Sequence, residues 1–181
     1  MAVVIDGRLR QCDRPERVLS APVDEEVASF VGTDTRLPGR VVSSLDGIAL
    51  VEVGQGQIEA ASTVGPGRAV LCCLRPEDVT LWSTGSPPPG PRSPGGLPHE
   101  AAAGAEDDRG VHLVSSARNQ LAGHVRRIVP QGPLARVTVD CGVTLVAAIT
   151  RASAADMGLV EGSRVVATFK ASAVHLIPLA G

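Results

Sequence analysis

Apolar and polar positions alternate along this chain in short bursts, and few recur every three or four residues. The segment VVIDGRLRQ holds two brief apolar runs around Asp6-Gly7, which predicts a hairpin closed by a tight turn. Asp13 then precedes Arg14-Pro15-Glu16. An N-cap carboxylate, a proline in the first turn and an acid beside it are helix-start signals. They predict a helix from Pro15 to about Ser20, stopped before Pro22. A second short helix, Asp24 to Val31, turns Val27, Phe30 and Val31 to one face and ends at Gly32. From Leu37 onward the period is two. GRVVSS, IALVEV, GQIEAA, AVLCCLR and DVTLW predict short strands, and NQLAGHVRRIV, LARVTVDC, TLVAAIT, RVVATFK and AVHLI repeat the series.

The two series align. Leu37-x-Gly39-x-Val41 matches Leu121-x-Gly123-x-Val125, and Ala49, Val51 and Val53 match Ala135, Val137 and Val139. Val70, Leu74, Arg75, Val79 and Leu81 match Val165, Phe169, Lys170, Val174 and Leu176. This is an internal duplication of one small all-β unit. Five short strands with glycine-marked turns predict a mostly-β chain of tandem five-stranded OB-like barrels, each closing its own sheet. The second copy is longer after its third strand. There Ser153-Ala-Ala-Asp156 reads as a capping-box-like start for one helical turn, ended by Gly158. Between the copies lies STGSPPPGPRSPGGLPHEAAAGAEDDRG, with six prolines, which reads as a disordered linker. The expected organisation is an α/β segment at 1–33, a first unit at 36–82, the linker at 83–110 and a second unit at 115–178.

Composition narrows the function. Hydrophobic residues make up 44% of the chain and aromatics 2%, so the core is aliphatic. A net charge of −2, without a basic block or aromatic platforms, argues against a nucleic-acid surface. No apolar run reaches the roughly 18 residues of a membrane span. The N-terminus lacks the pattern of a signal peptide. The four cysteines have no C-x-x-C spacing, so neither a zinc nor a redox site is indicated, and free thiols fit a reducing cytoplasm. The histidines stand singly, the adjacent carboxylates point apart, and no G-x-S-x-G elbow occurs. Of 17 basic residues only Lys170 is a lysine, and it sits in ATFKAS without the glycines of a phosphate-binding loop. The chain by itself is therefore read as a non-enzyme.

A set of small donors remains. Ser115, Ser116, Arg118 and Asn119 lead into the second unit, Thr150 ends a strand, and Ser153 opens the helical turn. Lys170, Ala171 and Ser172 close another strand. Hydroxyls, main-chain N–H groups at a helix start and one ammonium suit a compact, strongly charged oxyanion. The plainer reading makes the hydroxyls caps and turn formers, with Lys170 in solvent.

The spelling of these segments carries a resemblance. Ser116-Ala117-Arg118-Asn119-Gln120-Leu121-x-Gly123, then Ala148-Ile149-Thr150-x-x-Ser153-x-x-x-Met157-Gly158-Leu159-x-Glu161-Gly162, then Phe169-Lys170-Ala171-Ser172-x-Val174, resembles the three motifs of the Mop, or molbindin, domain in order. Leu74-Arg75-Pro76-Glu77-Asp78-Val79 is similar to the segment closing many transport-associated OB (TOBE) domains. Asp6-Gly7-Arg8-Leu9-x-Gln11, Arg14-Pro15-Glu16-x-Val18, Pro22 and Val27-Ala28-x-Phe30-Val31-Gly32 are similar to the tail of an ABC ATPase domain.

The whole resembles the C-terminal regulatory part of a molybdate or tungstate importer's ATPase subunit. The nucleotide-binding motifs would lie upstream, in a longer parent or an untruncated gene. The resemblance implies molybdate or tungstate as ligand, without an organic cofactor, held at a subunit interface by Ser116, Arg118, Thr150, Ser153, Lys170 and Ala171. The first copy reads TDTRL and AAST where the second reads SARNQL and ITRAS, and only Arg75 parallels Lys170. One ligand-competent unit and one structural unit are thus expected. Further implications are a homodimer or higher oligomer through the Mop units, a permease reached through the parent ATPase, and a cytoplasmic location at the inner face of the membrane. A replete cytoplasm would then slow import. The alternatives are a free-standing oxyanion store and the sensing module of a molybdate-dependent transcription regulator; no helix-turn-helix pattern precedes the barrels.

Overall fold

The computed structural model describes residues 1–83 and 115–179, so apart from Ser83 the predicted linker lies outside the described residues. Strands β1 (Ala2–Ile5) and β2 (Arg8–Cys12) form the N-terminal hairpin. Asp6 and Gly7 both take positive φ, 48° and 72°, as a tight turn matched to strand twist requires. Helix α1 (Pro15–Ser20) follows. Its N-cap is Arg14 and not Asp13, whose carboxylate instead accepts the Arg14 N–H at 2.7 Å. Helix α2 (Glu25–Phe30) is capped by Asp24, which accepts the Val27 N–H at 2.9 Å.

The predicted face of α2 needs correction. Val27 and Ala28 are buried and Phe30 is 64% exposed. Ala28 packs on Leu71, Cys73 and Ile177, while Val27 meets Val3 and Val18. Phe30 lies about 160° around the helix from Ala28, outside that stripe.

The strands of the first half are β3 (Thr35–Leu45), β4 (Ile48–Val53), β5 (Gly56–Ala61), β6 (Ala69–Leu74) and β7 (Thr80–Ser83). Those of the second are β8 (Asn119–Gln131), β9 (Leu134–Asp140), β10 (Thr144–Thr150), β11 (Arg164–Phe169) and β12 (His175–Pro178). The mostly-β expectation holds, but the strands do not close a barrel within each half. They form two five-stranded sheets, ordered β10-β9-β8-β11-β7 and β12-β6-β3-β4-β5. The last strand of each half completes the sheet of the other: β7 pairs with β11, and β12 with β6. Exchange covers β11 and β6, and leaves β10 and β7 at the margins of one sheet and β12 and β5 at those of the other. One core runs through both, from Val41, Val51 and Val70 of the first half to Val125, Val139 and Phe169 of the second.

Ladder register fixes the correspondence between halves. Arg40 faces Glu52, and His124 faces Asp140; Glu52 faces Gln57, and Asp140 faces Thr144. Val51 therefore corresponds to Val139 and Val53 to Cys141, two residues along from the pairing read in the sequence. A two-residue slip keeps every side chain on its face, so alternation alone does not detect it.

The glycine of the repeated L-x-G-x-V motif is required by close approach. A Cβ on Gly39 would stand 2.6 Å from the Glu52 carbonyl oxygen, and one on Gly123 2.3 Å from that of Asp140. Among the described residues no helix is long and apolar enough to cross a membrane.

Candidate functional site

Asn119 opens β8 directly opposite Phe169, the last residue of β11. Arg118 and Lys170 therefore flank the last pair of this ladder, one preceding Asn119 and one following Phe169. Lys170 leads into a single 3-10 turn, Ala171–Ala173, and its side chain is exposed while Ala171 is buried. Among the described residues Lys170 has no ion pair. Arg118 does: its Nε contacts the Glu59 carboxylate on β5 of the first half. Ser116 is exposed in the bend before β8, where the Ser115 hydroxyl accepts the Ala117 N–H at 3.1 Å.

The other two predicted residues stand elsewhere. Thr150 ends β10 opposite Leu134, which in turn faces Gln131 at the far end of the 13-residue β8. Thr150, not Ser153, is the N-cap of helix α3 (Arg151–Asp156). Its Oγ1 accepts the Ser153 N–H at 2.9 Å, and the two hydroxyls are 2.7 Å apart. The six residues thus form two groups within one chain: Ser116, Arg118, Lys170 and Ala171 at one end of β8, Thr150 and Ser153 at the other.

The two halves meet reciprocally. The 3-10 turn after Lys170 packs on β5, and the equivalent turn Pro76–Asp78 after Arg75 packs on β10. Two buried polar side chains clasp these contacts. Asn119 accepts the Glu59 N–H at 2.8 Å and donates to the Glu59 carbonyl at 2.9 Å. Thr35, its counterpart opposite Leu74, accepts the Val146 N–H at 3.0 Å. Counted on from the last β5 pair, Ala61 with Ile48, Thr63 falls at the place of Thr150 but lies two residues past the end of β5. Glu59 lay in no motif, and its only signal was a charge within a buried-facing strand.

Beside Lys170 opens a cleft of about 300 Å³ whose polar lining includes Arg75, Asp78, Ser172, His175 and, from the N-terminal segment, Ser20 and Thr33. The pseudo-equivalent cations Arg75 and Lys170 share it. Arg75 is held by Glu77. Burial pushes the Asp78 carboxyl above its usual value and lowers His175, whose Nε2 lies 3.1 Å from the Pro22 carbonyl. Burial also pushes the Cys72 thiol up to about 12 and Cys73 to about 11, leaving both unreactive. Among the described residues no three metal-ligating side chains converge. The arrangement offers cationic and hydroxyl donors at an interface between halves, chemistry for holding an anion.

The TOBE domain model matches residues 115–176. The molybdate/tungstate import ATP-binding protein WtpC of Pyrococcus horikoshii is 30% identical over 179 residues, 98% of this chain and 42% of that protein. A spermidine/putrescine import ATP-binding protein, PotA of Oleidesulfovibrio alaskensis, is 28% identical over 123 residues, 66% of this chain and 33% of that protein. The chain therefore spans less than half the length of the curated relatives it matches. Among solved structures, the cytoplasmic molybdate-binding protein ModG aligns with a TM-score of 0.57 and 23% identity, covering 81% of this chain and 97% of its own, a likeness of fold. Residues 115–176 are a TOBE domain, in a chain homologous to molybdate/tungstate import ATP-binding proteins.

Proposed function

We propose that the chain is the cytoplasmic oxyanion-sensing module of a molybdate/tungstate importer's ATPase subunit, and that bound ion restrains transport. In this reading residues 1–33 are the tail of the ATPase domain, 36–82 and 115–178 are the two regulatory units, and nucleotide hydrolysis belongs to the rest of the parent subunit. The observation that carries the reading is the lone lysine. Lys170 has no ion pair among the described residues, flanks with Arg118 the last pair of one ladder, and lies against the other half. An ammonium, a guanidinium, the Ser116 hydroxyl and the Ala171 main chain supply charge and donors for a doubly charged tetrahedral ion. A single ion uses all six motif residues when Lys170 and Arg118 come from one copy and Thr150 and Ser153 from another. That supports a site shared between subunits of a homodimer or larger oligomer.

Such a site couples binding to assembly. An ion that neutralises charge from two surfaces binds the arrangement that brings them together better than one that parts them, and only that difference shifts the equilibrium. Coupling of about 1–3 kcal/mol is the usual range. Transmission to the permease would run through the N-terminal segment, which walls the cleft beside Lys170. A second reading, a free-standing oxyanion store, is favoured by the fold shared with ModG along 97% of that chain. Calorimetric titration with molybdate, tungstate and sulfate, on the wild type and Lys170→Ala, tests the binding. Molybdate or tungstate should bind well above sulfate and be lost with the lysine. Light scattering with and without ion separates the readings: ion-linked dimerisation at one ion per shared site supports sensing, and several ions per chain support storage.

A further inference from the structure

We propose that Glu59 sets the affinity of the Lys170 site: its carboxylate occupies Arg118 in the ion-free protein, and an entering oxyanion must take the guanidinium from it. This rests on the oxyanion reading above. The two residues come from different halves, Glu59 from β5 and Arg118 from the segment entering β8, and their side chains are 27% and 58% exposed. Glu59 is not free to drift away. Both its main-chain polar groups are held by Asn119, at 2.8 and 2.9 Å, so the residue next to Arg118 fixes the strand that presents the carboxylate. The contact has no counterpart at the other interface. There Val146 stands in the place of Glu59 and Asp34 in the place of Arg118, and Asp34 pairs instead with Arg136. The Glu59–Arg118 pair is thus confined to the interface that carries the motif lysine, and the other interface carries the cross-half pair Asp34–Arg136 in its stead.

A guanidinium held by one carboxylate is a partly neutralised anion site. A second anion brought to it meets the repulsion of the first, so binding requires Glu59 to release Arg118 and turn toward solvent. The cost of that release falls on every anion. A doubly charged ion recovers it through Lys170 and Arg118 together, whereas a singly charged ion of the same shape gains about half the attraction. Glu59 therefore lowers affinity for every anion, and any of its charge that stays near the site repels a dianion about twice as strongly as a monoanion.

Calorimetry on the full chain tests this, with molybdate as the dianion, perchlorate as the tetrahedral monoanion, and the variants Glu59→Gln, Glu59→Asp and Lys170→Ala. Glu59→Gln keeps the main-chain bonds to Asn119 and should tighten molybdate about fivefold, the scale of an exposed ion pair. It should raise perchlorate affinity by no more than that, because a carboxylate repels a monoanion about half as strongly as a dianion. Glu59→Asp, too short to hold Arg118 but still charged, should fall between. If Glu59→Gln does not fold, the aspartate variant alone decides by the same sign. Unchanged or weaker molybdate binding in both variants, with binding still abolished by Lys170→Ala, overturns this proposal and leaves the oxyanion reading intact. No molybdate binding by any form removes both.

Discussion

Asn119 and Thr35 occupy equivalent positions at the starts of β8 and β3, and each reaches across to a main-chain N–H of the opposite half. The two clasps are unequal. Asn119 makes two bonds to Glu59 and is 4% exposed; Thr35 makes one to Val146 and is 2% exposed. Losing a buried partner leaves a donor or acceptor unsatisfied, at about 1–3 kcal/mol each. Asn119→Ala should therefore lower stability by about 3 kcal/mol and Thr35→Val by about 1–2 kcal/mol, read as urea midpoints at constant m-value.

Two glycines separate close approach from conformational freedom. Gly123→Ala puts a methyl group against the Asp140 carbonyl, and Gly39→Ala against that of Glu52, where main chain cannot step aside cheaply. Each should cost about 3 kcal/mol, the upper end for overpacking. Gly56→Ala, with its nearest neighbour at 3.9 Å, should change stability by less than about 0.5 kcal/mol. Thermal unfolding of the three variants side by side checks the ranking.

How much of this was legible without coordinates follows from what each pattern encodes. The turn at Asp6-Gly7, the limits of α1 and the ten strands of the duplication were readable, because turn chemistry and alternation are local properties. Partner choice is not local. Alternation says which face Leu81 and Leu176 turn to the core, and says nothing of which sheet receives β7 or β12. The same blindness produced the two-residue slip between β4 and β9. Of the candidate site, the motif spelling found Arg118 and Lys170 together. It could not show that Thr150 and Ser153 lie at the other end of β8, because that separation is set by strand length and register.

Strand exchange makes the halves dependent on one another. A fragment of residues 1–83 leaves β6 without β12, and one of 115–181 leaves β11 without β7. Each also opens its part of the shared core to water. Neither fragment should show a cooperative thermal transition alone. An equimolar mixture should recover one, with a midpoint that rises with protein concentration. Two separate cooperative transitions from the isolated fragments would contradict the exchanged topology.

His175 gives the fold a pH dependence in the mildly acidic range. Burial lowers its pKa below 6.5, against a smaller opposing effect from the Pro22 carbonyl. The unfolded chain therefore binds the proton more readily than the folded one, and stability rises with pH between the lowered value and about 6.5. As pH falls through that window the folded state must charge a half-buried imidazole between β12 and the N-terminal segment, and stability drops. Melting temperatures of the wild type should fall from pH 7 to pH 5 more steeply than those of His175→Gln, the two curves running parallel above pH 7. Identical slopes across the window would assign the acid dependence to other groups.

Lys170→Ala separates a binding residue from a structural one. The side chain is exposed, makes no ion pair among the described residues, and caps the 3-10 turn through no side-chain bond. Its loss should leave stability within about 0.5 kcal/mol of the wild type. Its loss from an anion site removes a charge-assisted contact, about 1.5–3 kcal/mol, so molybdate affinity should fall at least about tenfold. Lys170→Arg keeps the charge but spreads it over a planar fork, and should recover only part of the affinity. The decisive pairing is unchanged melting with lost binding. A variant that melts early and still binds would make Lys170 a packing residue and the cleft beside it an ordinary surface feature.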